Sequence, residues 1–147
     1  MKTKEQPRKC RECGGTMERQ AIKRVVSVGS HQVNDSGRHR ALVCVKCGDY
    51  DLTQKQLEES ERSAALVVFC DALAVDGGAL KYARKALGLT QTELAKQLGV
   101  KGETVSRWET GTLVIARKIQ LAMAGLLAAS DPNHTKRLEA APISRTG

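Results

Sequence analysis

The chain has 147 residues, 24 Lys and Arg against 16 Asp and Glu, and only 3% aromatic residues, so it has room for one ordinary domain or two small ones with cores of Leu, Val, Ile and Ala. No run approaches the roughly 20 apolar residues of a membrane span, and no apolar stretch follows the basic start, which argues against a membrane protein and points to the cytoplasm. The charge is uneven: residues 1–48 carry 11 basic and four acidic groups, 49–76 two and seven, 77–129 eight and three. Two basic units thus flank an acidic connector. Basic patches attract phosphate by counterion release, although many are merely solvated.

In chain order, the first feature is Cys10-x-x-Cys13, matched by Cys44-x-x-Cys47 with residues 14–43 between the pairs. A two-residue spacer lets both sulfurs of a pair face one ion, and two pairs close a tetrahedral four-thiolate shell, the donor set of a structural zinc. Gly14 and Gly15 follow one pair and Gly48 the other. Glycine reaches the positive-φ turn that aims backbone N–H groups at the sulfurs. Two disulfides would also use four cysteines, but a cytosolic chain keeps thiols reduced, and a redox-active pair would belong in a thioredoxin-like βαβ unit, which is missing here. One structural Zn2+ on Cys10, Cys13, Cys44 and Cys47 is therefore the expectation. Such a closed site has no open position for hydrolytic chemistry.

Between the pairs, β-branched runs at Ile22–Val28 and Ala41–Val45 predict two strands, with a loop over the polar stretch Gly29–Arg40. The strands would carry the second knuckle back to the first, giving a zinc-ribbon-like domain over 1–52. From Thr53 to Ala74 there is neither Gly nor Pro, and Leu57, Ala64, Ala65, Val68 and Ala72 fall at helical spacing among acidic residues. This predicts an acidic connecting helix, within a segment 53–76, that ends at Asp76-Gly77-Gly78. Cys70 on it is expected to be buried in packing rather than a ligand. His31, His39 and His134 have no partner at ligand spacing and are expected at the surface.

Residues 77–130 predict a helical domain. Leu80–Leu87 closes at Gly88; a second helix begins at Thr90, with Glu93 completing a capping box, and ends at Gly99; a third covers about Gly102–Thr110 and stops at Gly111. A fourth runs from about Ile115 to Ser130 with Ile115, Ile119, Ala122, Met123, Leu126 and Leu127 on one face, stopped by Asp131-Pro132, and residues 131–147 read as a disordered tail. Within 91–110, Leu94, Leu98, Val100, Val105 and Trp108 supply a core, Ala95 permits close helix contact and Gly99 makes the turn. These are the constraints of a helix-turn-helix corner, whose third helix would enter the major groove of double-stranded DNA.

The residues exposed on that helix are Lys101, Gly102, Glu103, Thr104, Ser106 and Arg107. Arg107 suits a bidentate contact to guanine or, alternatively, a phosphate contact, and Glu103 suits either a cytosine amino group or the helix dipole. Gln91, Lys101 and Thr104 suit phosphate. Arg84 and Glu109 suit an ion pair across the domain, and Trp108 its core. Lys101-Gly102 provides no Ser or Asp cap, a weak helix start. There is no Ser, His and Asp set, open metal site or phosphate loop, so the chain does not read as an enzyme.

Residues 83–111, ARKALGLTQTELAKQLGVKGETVSRWETG, resemble the helix-turn-helix of the Xre/Cro family of phage-type repressors. With the cysteine pairs upstream, the order of parts over about residues 8–128 is similar to MqsA-type antitoxins, with their YgiT-type zinc finger, and to related zinc-finger regulators. The resemblance implies a mainly α protein with a small β zinc-binding domain, a connecting helix and a lambda-repressor-like domain of four to five helices. It further implies a homodimer on a palindromic operator, autorepression, base reading by Arg107 and an internal Arg84–Glu109 pair. In the antitoxin branch it implies a zinc domain that masks a ribonuclease toxin. A third reading, from the chemistry of thiolates, is a redox or metal sensor.

Overall fold

A computed structural model of the chain describes residues 7–130, with the side chains of residues 36–39 left aside. The expectations for His39, His134, Asp131-Pro132 and the tail lie outside what is described. Among the described residues a small antiparallel sheet comes first and five helices follow: β1 (Met17–Val28), β2 (His31–Cys44), β3 (Tyr50–Asp51), α1 (Gln54–Asp71), α2 (Gly77–Ala86), α3 (Gln91–Leu98), α4 (Gly102–Glu109) and α5 (Arg117–Ser130). The sheet order is β1-β2-β3.

The hairpin is longer than the sequence suggests. Residues 31–40, expected as loop, are strand, and the chain reverses through Gly29 and Ser30 alone. Gly29 has φ 58°, the left-handed geometry that a two-residue turn with glycine first requires. The polar residues are tolerated because a strand hides only one face. On β1, Ile22, Val26 and Val28 are buried while Ala21, Lys23, Val25 and Ser27 face out. The register shifts between Ala21 and Lys23, a bulge in mid-hairpin. At its start Met17 pairs with Cys44, and at its end Val28 pairs with His31, which is half-buried beside the turn. Twelve residues at a rise of about 3.3 Å separate these ends by roughly 35 Å.

α1 starts at Thr53, whose hydroxyl accepts from Gln56 N at 3.1 Å while Thr53 N donates to Gln56 Oε1 at 3.0 Å. It runs back along the hairpin, joined to it where the buried Ser60 hydroxyl donates to the buried Asp35 carboxylate at 2.5 Å. The helix stops at Asp71, not at the glycines: Gly77 and Gly78 open α2, with Asp76 as its N-cap. Asp76 Oδ1 accepts from Ala79 N at 2.7 Å, and Oδ2 from Ser30 N in the hairpin turn at 2.9 Å. Burial alone would raise the Asp76 pKa; the bonds from Ser30 and Ala79 outweigh it and hold the carboxyl below its ordinary value. Cys70, expected in the core, is exposed, because the buried face of α1 at this end belongs to Leu66, Val68 and Phe69.

One hydrophobic core joins the parts. Val26 and Val28 of the hairpin, Ala64–Leu66, Val68 and Phe69 of α1, and Leu80, Ala83, Leu94, Val105, Trp108, Met123 and Leu127 of the later helices share it. α5 begins two residues after the expected Ile115, which is buried just ahead of it; Ala122 faces solvent, and Gln120 is buried in its place. The Gln120 amide donates to the carbonyls of Ala72 at 2.7 Å and Phe69 at 3.2 Å, satisfying carbonyls that the end of α1 leaves without a helical partner.

Candidate metal centre and nucleic-acid interface

The two cysteine pairs meet at the open end of the hairpin. Gly14 and Gly48 take φ of 72° and 78°, and each donates its N–H to the carbonyl at the start of its knuckle, Cys10 at 2.9 Å and Cys44 at 3.0 Å. The tightened turns aim further N–H groups at sulfur: Gly15 N donates to Cys13 Sγ and Lys46 N to Cys44 Sγ, both at 3.4 Å. Gly15 must also be small, since a Cβ there would fall 2.9 Å from Cys44 Sγ.

The four sulfurs lie within 4.8 Å of one another, with Cys13 to Cys44 at 3.4 Å and Cys10 to Cys47 at 3.7 Å. A tetrahedral ion with metal–sulfur bonds of about 2.3 Å sets its sulfurs about 3.8 Å apart, so the cluster fits such an ion with little movement. Cys10 and Cys44 are buried, Cys13 half-buried and Cys47 exposed. Thiols this close share protons. The Cys47 N–H, with lesser help from Lys46 and the neighbouring thiols, lowers Cys44 to about 6 against the opposing effect of burial. At Cys47 the Asp49 N–H favours the thiolate, but Cys13, burial and the other two sulfurs prevail and push it up to about 12. A cation at the centre removes this conflict by stabilising every thiolate together.

A groove of about 770 Å³ lies where the sheet meets the start of α1, lined by Arg8, Arg19, Arg40, Leu42, Asp51 and Gln56 among others. Arg8 lies 3.8 Å from Asp51, an exposed pair that screening weakens.

At the other end of the molecule, α2 to α4 form the helical corner. The Thr90–Glu93 capping box closes in both directions, at 3.1 and 3.2 Å, and Gly99 ends α3 in the left-handed conformation at φ 68°. Lys101, by contrast, makes no side-chain cap for α4. Val105 and Trp108 are buried on the inner side of α4, while Lys101, Glu103 and Arg107 are exposed and Gly102, Thr104 and Ser106 half-buried. Arg107 Nη2 donates to Glu103 Oε1 at 2.6 Å, one turn back on the outer face.

Below that face lies a buried polar knot that the sequence reading placed only in part. Arg84 donates to Glu109 from Nη2 at 2.9 Å and Nε at 3.1 Å, and from Nη1 to the Leu89 carbonyl at 2.9 Å; the two side chains are 11% and 4% exposed. Gln91 Nε2 donates to the other Glu109 oxygen at 2.9 Å. One Gln91 N–H is thus turned inward to the ion pair, a bond no local pattern announces because it spans 18 residues.

Residues 80–128, a third of the chain, match the model of the helix-turn-helix family, whose members are DNA-binding regulators and not enzymes. These residues take in most of α2 and all of α3 and α4 and end inside α5. No curated protein matches the chain. The molecule therefore combines a helix-turn-helix domain with a four-cysteine cluster suited to a metal ion. No helix among the described residues is long and apolar enough to cross a membrane.

Proposed function

We propose that the chain is a cytoplasmic, sequence-specific transcriptional regulator that represses its own gene, binding a palindromic operator as a homodimer and holding one structural Zn2+ on Cys10, Cys13, Cys44 and Cys47. The observation that carries this is the division of α4 into a buried side anchored by Val105 and Trp108 and an outer side of Lys101, Glu103, Thr104, Ser106 and Arg107 inside a helix-turn-helix match. On DNA, Arg107 exchanges its exposed Glu103 partner for guanine O6 and N7; the exchange is cheap because an exposed i,i+4 pair contributes only about 0.3–0.5 kcal/mol. Glu103 then orients the guanidinium or accepts from cytosine. Lys101 and Thr104 bind phosphate, and Gln91 does so through its second amide N–H.

The dimer is supported by an apolar patch. Leu73, Val114 and Leu121 are 96%, 92% and 53% exposed, and Arg117 and Gln120 of α5 both donate to the Ala72 carbonyl, which brings the end of α1 to the start of α5. A second copy there would cover apolar surface close to the end of α4 and pair two recognition helices about one DNA turn apart.

Fluorescence anisotropy against DNA from upstream of the gene and a scrambled duplex, at two salt concentrations, tests the proposal. The protein should prefer the upstream duplex and weaken with salt, and Arg107→Ala should lose roughly 1–3 kcal/mol of that preference. Equal, weak binding to both duplexes would show that α4 is not a specific reader.

A second reading, an antitoxin that neutralises a ribonuclease toxin while repressing its operon, is favoured by the arginine-lined groove where the sheet meets α1. It suits an acidic protein surface. Co-purification of the product of a neighbouring gene with the chain, lost on Arg19→Glu with Arg40→Glu, would support it; no capture by the wild type removes it.

A further inference from the structure

The tip of the hairpin touches the helix-turn-helix through backbone. A Cβ on Gly29 would fall 2.1 Å from Asp76 Oδ1 and 2.5 Å from Ala79 N; one on Gly78 would fall 3.2 Å from Gly29 Cα. A Cβ on Gly77 would fall 2.4 Å from the carbonyl oxygens of both Trp108 and Glu109. Three glycines therefore bring the hairpin turn, the first turn of α2 and the last turn of α4 together, with the Asp76 carboxylate between the hairpin turn and α2. Asp76 fastens the stack, one carboxylate oxygen capping α2 and the other holding Ser30 N.

We infer that this junction positions α4: the hairpin turn, acting through Asp76 and Gly77, sets the depth and angle at which the recognition helix is presented, and Gly29, Asp76 and Gly77 are positioning residues for DNA discrimination. The inference rests on the reading of α4 proposed above. α4 is a rod of eight residues with no side-chain cap at its N-terminus; Val105 and Trp108 hold its inner side in the core, and its C-terminal end is gripped besides. The grip consists of Gly77 against its final carbonyls and the Arg84–Glu109 pair. Base-edge hydrogen bonds tolerate displacements of only about 0.5 Å or 10–20°, so a small shift at that end alters sequence preference before it alters general attraction to phosphate. The hairpin is then part of the reader, and residues 77–130 alone present α4 less well than the full chain.

Two substitutions in the full-length chain separate positioning from folding. Asp76→Asn keeps the oxygen that caps Ala79 and loses the acceptor for Ser30 N, whereas Gly29→Ala adds the colliding carbon in the turn. Each is compared with wild type by thermal melting, by anisotropy on the upstream and scrambled duplexes, and by hydrogen exchange of the α4 amides without DNA. Asp76→Asn is expected to melt as one transition close to wild type and to bind the scrambled duplex unchanged, yet to lose about tenfold of its preference for the upstream duplex, with faster exchange in α4. Gly29→Ala, where it folds, should do the same more strongly. Wild-type discrimination and wild-type α4 exchange in Asp76→Asn overturn the inference. If the wild type itself shows no preference, the DNA reading of α4 fails, and α4 exchange alone decides the junction: faster exchange in Asp76→Asn upholds it and unchanged exchange rejects it.

Discussion

Cys44→Ser is expected to lose the bound metal and the fold of the hairpin's open end together. Cys44 is 2% exposed, sits 3.4 Å from Cys13 Sγ, and occupies the position where β2 pairs with Met17. A serine hydroxyl there is a poor ligand, and three remaining thiolates leave a shell that water can enter. Because an unfolded chain has no preformed site, binding energy is folding energy, about 10–16 kcal/mol for structural zinc in small peptides near neutral pH. What remains at that end is a few backbone bonds, such as Cys44 N to the Asp49 carbonyl at 2.7 Å and Val45 N to that of Thr16 at 3.1 Å. Elemental analysis should find the proposed one zinc per chain in the wild type and near none in the variant, and amide protection should vanish over the knuckles. The loss should also reach the helical part, since Val26 and Val28 belong to the common core. One retained zinc and an unaltered melting curve would refute both the site and its structural role.

The second large effect is expected at Glu109. Glu109→Ala takes away the acceptor of Arg84 Nε and Nη2 and of Gln91 Nε2, and strands a guanidinium whose side chain is 11% exposed. Breaking one partner of a buried pair costs about 3–5 kcal/mol, against total stabilities of about 5–15 kcal/mol for small domains. The melting temperature should drop on the order of 15 °C, and DNA binding should decline with the folded fraction; the fraction still folded should lose part of its sequence preference, because the pair also grips the end of α4. A combined Arg84→Met and Glu109→Leu variant should recover much of the stability, because removing both charges leaves no stranded ion. Wild-type melting of Glu109→Ala would show that the pair contributes nothing.

Much of this architecture was legible in the chain. The capping box at Thr90 and Glu93, the left-handed glycines after each knuckle and at Gly99, and the core of Leu94, Ala95, Val105 and Trp108 follow from local chemistry, and each is present in the structure. The errors share a cause. His31–Arg40 reads as loop because its polar residues hide the alternation that a half-exposed strand permits. Gly77 and Gly78 read as a helix stop because glycine disfavours helix interiors, but at the start of α2 close approach by Gly29 and by the end of α4 leaves no room for a side chain. Cys70 reads as buried because cysteine usually is, yet its position on α1 turns it outward.

By itself, then, the sequence determined what is set by short spacing: which cysteines form each knuckle, where α3 begins and ends, and which residues of 91–110 form the corner and which its outer face. Only the tertiary structure decided what depends on distant backbone meeting: the hairpin turn seated on α2, Asp35 bonded to Ser60, Gln91 turned to Glu109, and Gln120 closing the end of α1. The reason is physical. Caps, turns and two-residue ligand spacers are satisfied within a few residues, so their chemistry is written locally; buried polar groups and glycine contacts are selected by whichever segment the fold brings against them, and that segment lies 18 to 51 residues away.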